Sequence, residues 1–206
     1  YLEGLAVGHT CMHIHQAFEA WEFHAPTPFS HLLFVPSCLQ SRNARACYLE
    51  EGKLFKAALE EWLGRAVDPE ALERAAQVYN RNRRLLRQLY ELRKQDAPPI
   101  SGSMAMEAAL SSMFMDKEEH SLLLEDALGE LGVGRNGRYS GIRLMIVGGE
   151  NDDIDFVRLV ESLGGTVVID DQCTGSRYFW KEVTPGKAPL AAIADRYVDA
   201  PPCPTK

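Results

Sequence analysis

The sequence predicts an α/β chain in which two strand–helix–strand units flank a long helical segment. Three observations predict it. Short continuous apolar runs at residues 4–8, 31–36, 142–147 and 166–169 read as strands of parallel sheets covered on both faces. Helical spacing fills the residues between the members of each pair. From about residue 41 to residue 131 the period is helical almost throughout. The 206 residues carry 22 Lys and Arg against 29 Asp and Glu, a net charge of −7, which disfavours nucleic-acid binding through bulk charge. No uninterrupted apolar run reaches about 20 residues, so no membrane-spanning helix and no membrane partner are expected.

Taken in order, the first unit is the run 4–8, a helix over 12–23 with Ile14, Ala17, Phe18 and Trp21 at helical spacing, and the run 31–36. Leu54, Ala57, Ala58, Glu61 and Trp62 mark the next helix, which Gly64 stops. Asp68-Pro69 supplies an N-cap and a proline at the first helical position. The helix that follows runs to about Gln95 with Leu72, Ala75, Ala76, Tyr79, Leu86, Leu89 and Tyr90 inward, and Asp96-Ala97-Pro98-Pro99 breaks it. A helix over 104–115 follows, then one capped by Asp116 that ends near Gly132; residues 132–141, with four glycines, read as a linker. The second unit comprises strand 142–147, an exit turn Gly148-Gly149-Glu150-Asn151, a helix capped by Asp152 or Asp153, and strand 166–169. Ile154, Val157, Val160 and Leu163 form that helix's apolar side, and Gly164-Gly165 ends it. Three segments result: 1–40, 41–135 and 142–206. A start at Tyr1 and a close on Pro201-Pro202-Cys203-Pro204-Thr205-Lys206 read as the ends of a piece of a longer chain.

Five cysteines, 11, 38, 47, 173 and 203, are odd in number and irregularly spaced, which argues for a reducing compartment, with cytoplasm as the default. Cys11 follows the first strand and precedes a helix, in His9-Thr10-Cys11-Met12-His13-Ile14-His15. Ligands gather outside the carboxyl ends of parallel strands, and a helix N-terminus favours a thiolate. Zinc held by Cys11 with two of His9, His13 and His15 is one reading, although ligands two residues apart depart from the usual zinc spacing; a buried free cysteine is the plainer one. Cys38 and Cys47 read as structural. The second dense stretch, Asp170-Asp171-Gln172-Cys173-Thr174-Gly175-Ser176-Arg177-Tyr178-Phe179-Trp180, again follows a strand. Asp171, Cys173, Ser176 and Arg177 are its candidate substrate-binding residues, with Arg177 able to grip a carboxylate or phosphate bidentately. The alternative is an ordinary capped loop with its aromatics in the core. Arg81, Arg83, Arg84, Arg87, Arg93 and Lys94 read as the solvated face of a helix. Gly148-Gly149 lacks the dinucleotide-binding pattern, and no nucleophile elbow, zinc-protease, P-loop or CxxC motif occurs.

Several of these stretches together resemble the 2-hydroxyacyl-CoA dehydratase and benzoyl-CoA reductase subunits. They are Thr10-Cys11, Asn80-Arg81-Asn82-Arg83, Pro99-Ile100-Ser101-Gly102, Arg143-Leu144-Met145-Ile146-Val147-Gly148-Gly149, Asp170 to Arg177, and Arg196-Tyr197-Val198-Asp199-Ala200-Pro201-Pro202-Cys203. The resemblance covers essentially the whole chain, as the middle of a subunit about twice as long. It implies two Rossmann-like parallel-sheet lobes joined by helices, both incomplete in this chain, with a [4Fe–4S] cluster held between them by three cysteines. Cys11 matches the second of these ligands; the other two would lie before Tyr1 and after Lys206. Met12 stands where the family often has Asp, which puts that contact in question. The resemblance further implies a homologous second subunit and an activator protein that spends ATP to deliver a low-potential electron. The cluster would then reduce an acyl-CoA thioester, in a 2-hydroxyacyl-CoA dehydration or an aromatic ring reduction, and the Cys173 to Trp180 stretch inclines toward the reductase branch. A non-redox partner subunit of the same fold and a zinc-binding α/β module are the alternatives.

Overall fold

A computed structural model describes residues 2–36, 38–132, 139 and 141–200, so most of the 132–141 linker and the tail 201–206 lie outside the described residues. The chain is α/β, and the elements follow the predicted order as far as the fourth strand, after which come two helices that the sequence pattern did not mark. The elements are β1 (Gly4–His9), α1 (Met12–His24), β2 (Phe29–Phe34), α2 (Ala44–Leu63), α3 (Pro69–Glu91), a 3-10 turn (Leu92–Lys94), α4 (Gly102–Phe114), α5 (Lys117–Gly132), β3 (Ile142–Val147), α6 (Ile154–Ser162), β4 (Gly165–Asp171), α7 (Ser176–Phe179) and α8 (Pro189–Val198). Both sheets are parallel pairs, β1 with β2 and β3 with β4. The chain divides into two compact units, one of residues 1–76 with 183–206 and one of residues 77–182, with the division falling inside α3. These units regroup the three sequence segments: α8 belongs with α2 in the first unit, and the end of α3 belongs with β3 and β4 in the second.

In the first unit, Gly4 pairs with Phe29 and His9 with Phe34. Phe29 is buried and stacks on Trp62 at 4.7 Å between ring centroids. A side chain at Gly4 would press on both rings, at 3.2 Å and 3.3 Å, so this glycine admits the stack. α2 ends at Gly64, whose φ of 63° is the left-handed stop that the sequence marked. α8 lies against α2 through the Tyr48–Tyr197 stack and through Arg45, which bonds Asp195 at 2.9 Å and also pairs with Asp199.

In the second unit, α3, α4 and α5 enclose Leu85, Leu86, Leu89, Tyr90, Ile100, Ala105, Ala109, Leu124 and Phe179. A smaller group, Met106, Val157 and Val167, joins α4, α6 and β4. Ser101 caps α4 by accepting from Met104 N–H at 3.0 Å. The Glu161 carboxylate closes the same helix end, accepting from Gly102 N–H at 2.6 Å, Ser103 N–H at 3.2 Å and Ser103 Oγ–H at 2.9 Å. Free amides and the dipole make that end attractive to an anion, and α6 supplies one.

Four expectations are corrected. The inward stripe of α3 holds at Leu86, Leu89 and Tyr90 but not at Tyr79, which is exposed, and it takes in the polar Asn82 and Arg83. The arginine run is a solvated face only in part: Arg81, Arg84 and Lys94 are exposed, while Arg83 and Arg93 are buried. Arg93 is 1% exposed on Asp170, Arg81 pairs with Glu125 at 2.8 Å, and Arg84 and Arg87 share Glu182. Leu163 caps the end of α6 and is exposed rather than inward. The strands are not covered on both faces: Ile142, Met145 and Val147 of β3 stand exposed, because each sheet has only two strands among the described residues.

Candidate functional site

Both chemically dense stretches stand at carboxyl ends of parallel strands, one in each unit. Cys11 is the residue before α1, in extended conformation with φ −156°, half-buried and with a free thiol. Its neighbours His9 and His15 form an edge-to-face pair at 4.8 Å that leans on Phe34. His15 also reaches Glu19 at 3.4 Å. Among the described residues no three His, Cys, Asp or Glu side chains converge into a metal site, so the zinc set of Cys11, His13 and His15 is not assembled. The same test applies to a cluster. Cys11 suits one thiolate position, but Cys38 and Cys47 are exposed and the described donor set does not by itself make a site.

The stretch after β4 is closely knit. Arg177 donates from Nε to Asp171 Oδ1 at 2.7 Å and from Nη2 to Oδ2 at 2.8 Å, a bidentate pair. The guanidinium holds the Asp171 carboxyl below its usual range. Arg177 Nη1 also reaches Gly148 O at 3.2 Å and the Cys173 sulfur at 4.0 Å. Thr174 Oγ1 accepts from Asn151 N–H at 2.9 Å and donates to Asn151 O at 2.7 Å, while Cys173 N–H donates to Gly149 O. The exit turns of β3 and β4 are thereby laced into one surface. Ser176 turns inward, its N–H on Asp170 Oδ1 at 2.7 Å and its hydroxyl on Asp170 O at 2.6 Å. Gly175 must be glycine, since any Cβ there would collide with the Asp170 carboxylate. Asp171, Cys173 and Arg177 thus share one half-buried surface, and Ser176 serves the turn beneath it.

Two groups escaped the sequence reading. Under the β4 turn, buried Asp170 pairs with Arg93 at 3.1 Å, and the Arg93 guanidinium lies 3.8 Å from the centre of the Tyr90 ring. Arg93 had the signature of a surface residue, and only its position just before the Pro98-Pro99 break separates it from its neighbours. Among α3, α4 and α5 lies a buried polar relay. Asn82 Nδ2 donates to His120 Nδ1 at 2.8 Å and to Ser121 Oγ at 3.2 Å, while Asn82 Oδ1 accepts from Ser112 Oγ at 2.6 Å. Ser111 Oγ donates to Ala108 O, so it receives the Nε2 proton of His120 at 3.0 Å. This order fixes His120 as the neutral Nε2–H tautomer, and burial, with Lys117 nearby, pulls its pKa down. The available signal was Asn82 three residues before Leu85, a polar position inside the apolar stripe.

The description 2-hydroxyglutaryl-CoA dehydratase, D-component, matches residues 1–206. A benzoyl-CoA reductase subunit of Thauera aromatica is 22% identical over 196 residues, 94% of this chain and 51% of that protein. Lactoyl-CoA dehydratase subunit beta of Anaerotignum propionicum is 26% identical over 146 residues, 70% of this chain and 39% of that protein. (R)-phenyllactyl-CoA dehydratase beta subunit of Clostridium sporogenes is 22% identical over 165 residues, 80% of this chain and 44% of that protein. The chain spans about half the length of the relatives it matches most fully. With the match running over every residue, the chain belongs to the 2-hydroxyglutaryl-CoA dehydratase, D-component, family.

Proposed function

We propose that this chain is part of a cytoplasmic subunit of an enzyme that reduces a CoA thioester, by 2-hydroxyacyl-CoA dehydration or aromatic acyl-CoA ring reduction. The observation that carries the reading is the whole-length family match, and relatives named as dehydratase and benzoyl-CoA reductase subunits supply the reaction class. In this reading the working enzyme pairs the subunit with a homologous partner and draws electrons from an ATP-dependent activator. A [4Fe–4S] cluster, which supplies one-electron chemistry when bound, takes Cys11 as one ligand and its remaining thiolates from outside the described residues. The half-buried, free thiol beside a parallel strand's carboxyl end supports that role. Asp171, Cys173 and Arg177 face the substrate, with Ser176 holding the turn under them. No described helix is long and apolar enough to cross a membrane.

The test is iron and acid-labile sulfide analysis of the full-length subunit, purified with its partner in the absence of oxygen. Wild type should be brown and carry about four irons per cluster. Cys11→Ser should lose iron and activity, and Cys38→Ser should keep both. Equal iron in the two variants rejects the ligand assignment. An iron-free wild type rejects the redox reading in favour of a non-redox partner subunit, or of a zinc module if zinc is found.

A further inference from the structure

β3 leaves its sheet through Gly148-Gly149-Glu150-Asn151, and nothing inside the chain requires either glycine. A turn needs glycine where φ is positive or where a Cβ would collide. Among the described residues only Gly64, Gly164 and Gly186 have positive φ. A Cβ at Gly148 would make ordinary contact with Gln172 Nε2 at 3.7 Å, and one at Gly149 would meet nothing within 4 Å. The turn is nonetheless firmly held. Gly148 N–H donates to Asp171 O, and Gly148 O accepts from Arg177 Nη1. Gly149 O accepts from Cys173 N–H, and Asn151 bonds Thr174 Oγ1 through both its N–H and its carbonyl. Gly149 itself is exposed. A fixed turn with such a glycine presents bare backbone to whatever occupies the surface above it.

That surface is the one shared by Asp171, Cys173 and Arg177, outside the carboxyl ends of two parallel strands, where such sheets receive ligands. Its charge narrows the ligand. Glu150, Asp152 and Asp153 stand exposed in the same turn, and the Arg177 guanidinium is already paired with Asp171. Phosphate groups are repelled there, whereas an uncharged chain is not. We propose that Gly149 is a substrate-contact residue, with the uncharged pantetheine arm of the acyl-CoA lying against the bare backbone of Gly148 and Gly149. The inference rests on the acyl-CoA reading above. The narrow arm, with its amides, comes within van der Waals distance of this backbone, an approach that a Cβ at position 149 would block. The phosphates of the nucleotide end lie away from the acidic turn.

Gly149→Ala separates substrate contact from a role in folding. In the full-length subunit assembled with its partner, the added methyl meets nothing in the chain and φ suits alanine, so the melting temperature should equal or exceed that of wild type. Calorimetric titration should show acyl-CoA bound about tenfold more weakly, the scale set by one misplaced carbon. The matching acyl-pantetheine, which lacks the nucleotide end, should weaken by the same factor. Gly129→Ala, at a glycine of α5 that also faces open space, is the control and should leave both affinities at their wild-type values. Unchanged affinity in Gly149→Ala overturns the proposal, as does a lowered melting temperature. An effect confined to acyl-CoA overturns it too, by assigning the contact to the nucleotide end. A wild-type protein that binds neither ligand overturns the acyl-CoA reading itself, and the proposal with it.

Discussion

At the scale of single residues, His120 makes the sharpest statement. Its Nδ1 accepts from Asn82 and its Nε2–H is taken by Ser111, so a proton added to the ring would face the Asn82 amide donor. Its pKa lies below the ordinary value of about 6.5. Above about pH 7 the ring is neutral folded and unfolded, and nothing is lost. As the pH falls through the ordinary value, the unfolded chain takes up a proton that the folded chain refuses, and stability drops. Thermal melts between about pH 7.5 and 5.5 should show this decline, and His120→Gln, which can still accept and donate, should flatten it. Arg177 also lowers a pKa, that of Asp171, here by favouring the charged form. That pair contributes stability above the ordinary carboxylate value of about 3.9, which is lost as the pH falls through the folded value. Arg177→Lys keeps the charge but not the fork, so acid melts should converge on those of Asp171→Asn. In the proposed role the same variant should weaken acyl-CoA turnover in the assembled enzyme while remaining folded at neutral pH.

At the scale of elements, the α4 N-terminus is where sequence and packing meet. Ser101 and Gly102 belong to a stretch that carried the family resemblance without a role, and the structure supplies one. A Cβ at Gly102 would lie 2.5 Å from Val167 Cβ and 2.8 Å from its carbonyl oxygen, so the glycine lets α4 approach β4. Gly102→Ala should cost about 1–3 kcal/mol, as overpacked positions do, measured by denaturant unfolding. Glu161→Ala removes the acceptor of two backbone amides at the same end and should cost about 1–2 kcal/mol. The helix spacing of α3 was visible in the sequence, and so was its inward face at Leu86, Leu89 and Tyr90, but not the polar part of that face. Tyr79 lies in the apolar stripe by periodicity, whereas the structure turns Asn82 inward because Ser112, His120 and Ser121 offer it three partners from α4 and α5.

At the scale of the whole molecule, two parallel sheets of two strands leave apolar side chains in solvent. Ile142 is 73% exposed and Val147 64%, on a strand whose other edge has no partner among the described residues. Such edges and patches invite association. The 206-residue chain expressed alone should show a mass that rises with concentration in light scattering, and Ile142→Lys with Val147→Lys should reduce it. A monomer at every concentration would count against this. By itself the sequence determined the α/β class, the order of the elements as far as β4, the stop at Gly64 and the start at Asp68-Pro69, and Cys11 and the Asp171 to Arg177 turn as strand-end positions. These follow from local periodicity, capping and turn chemistry, which neighbouring residues encode. Only the tertiary structure decided which polar side chains are buried together. The Asn82–His120–Ser112 relay spans 30 to 38 residues of sequence, and the Arg93–Asp170 pair 77. A buried polar group is tolerated only where a partner arrives from elsewhere in the chain, and no local pattern records that arrival.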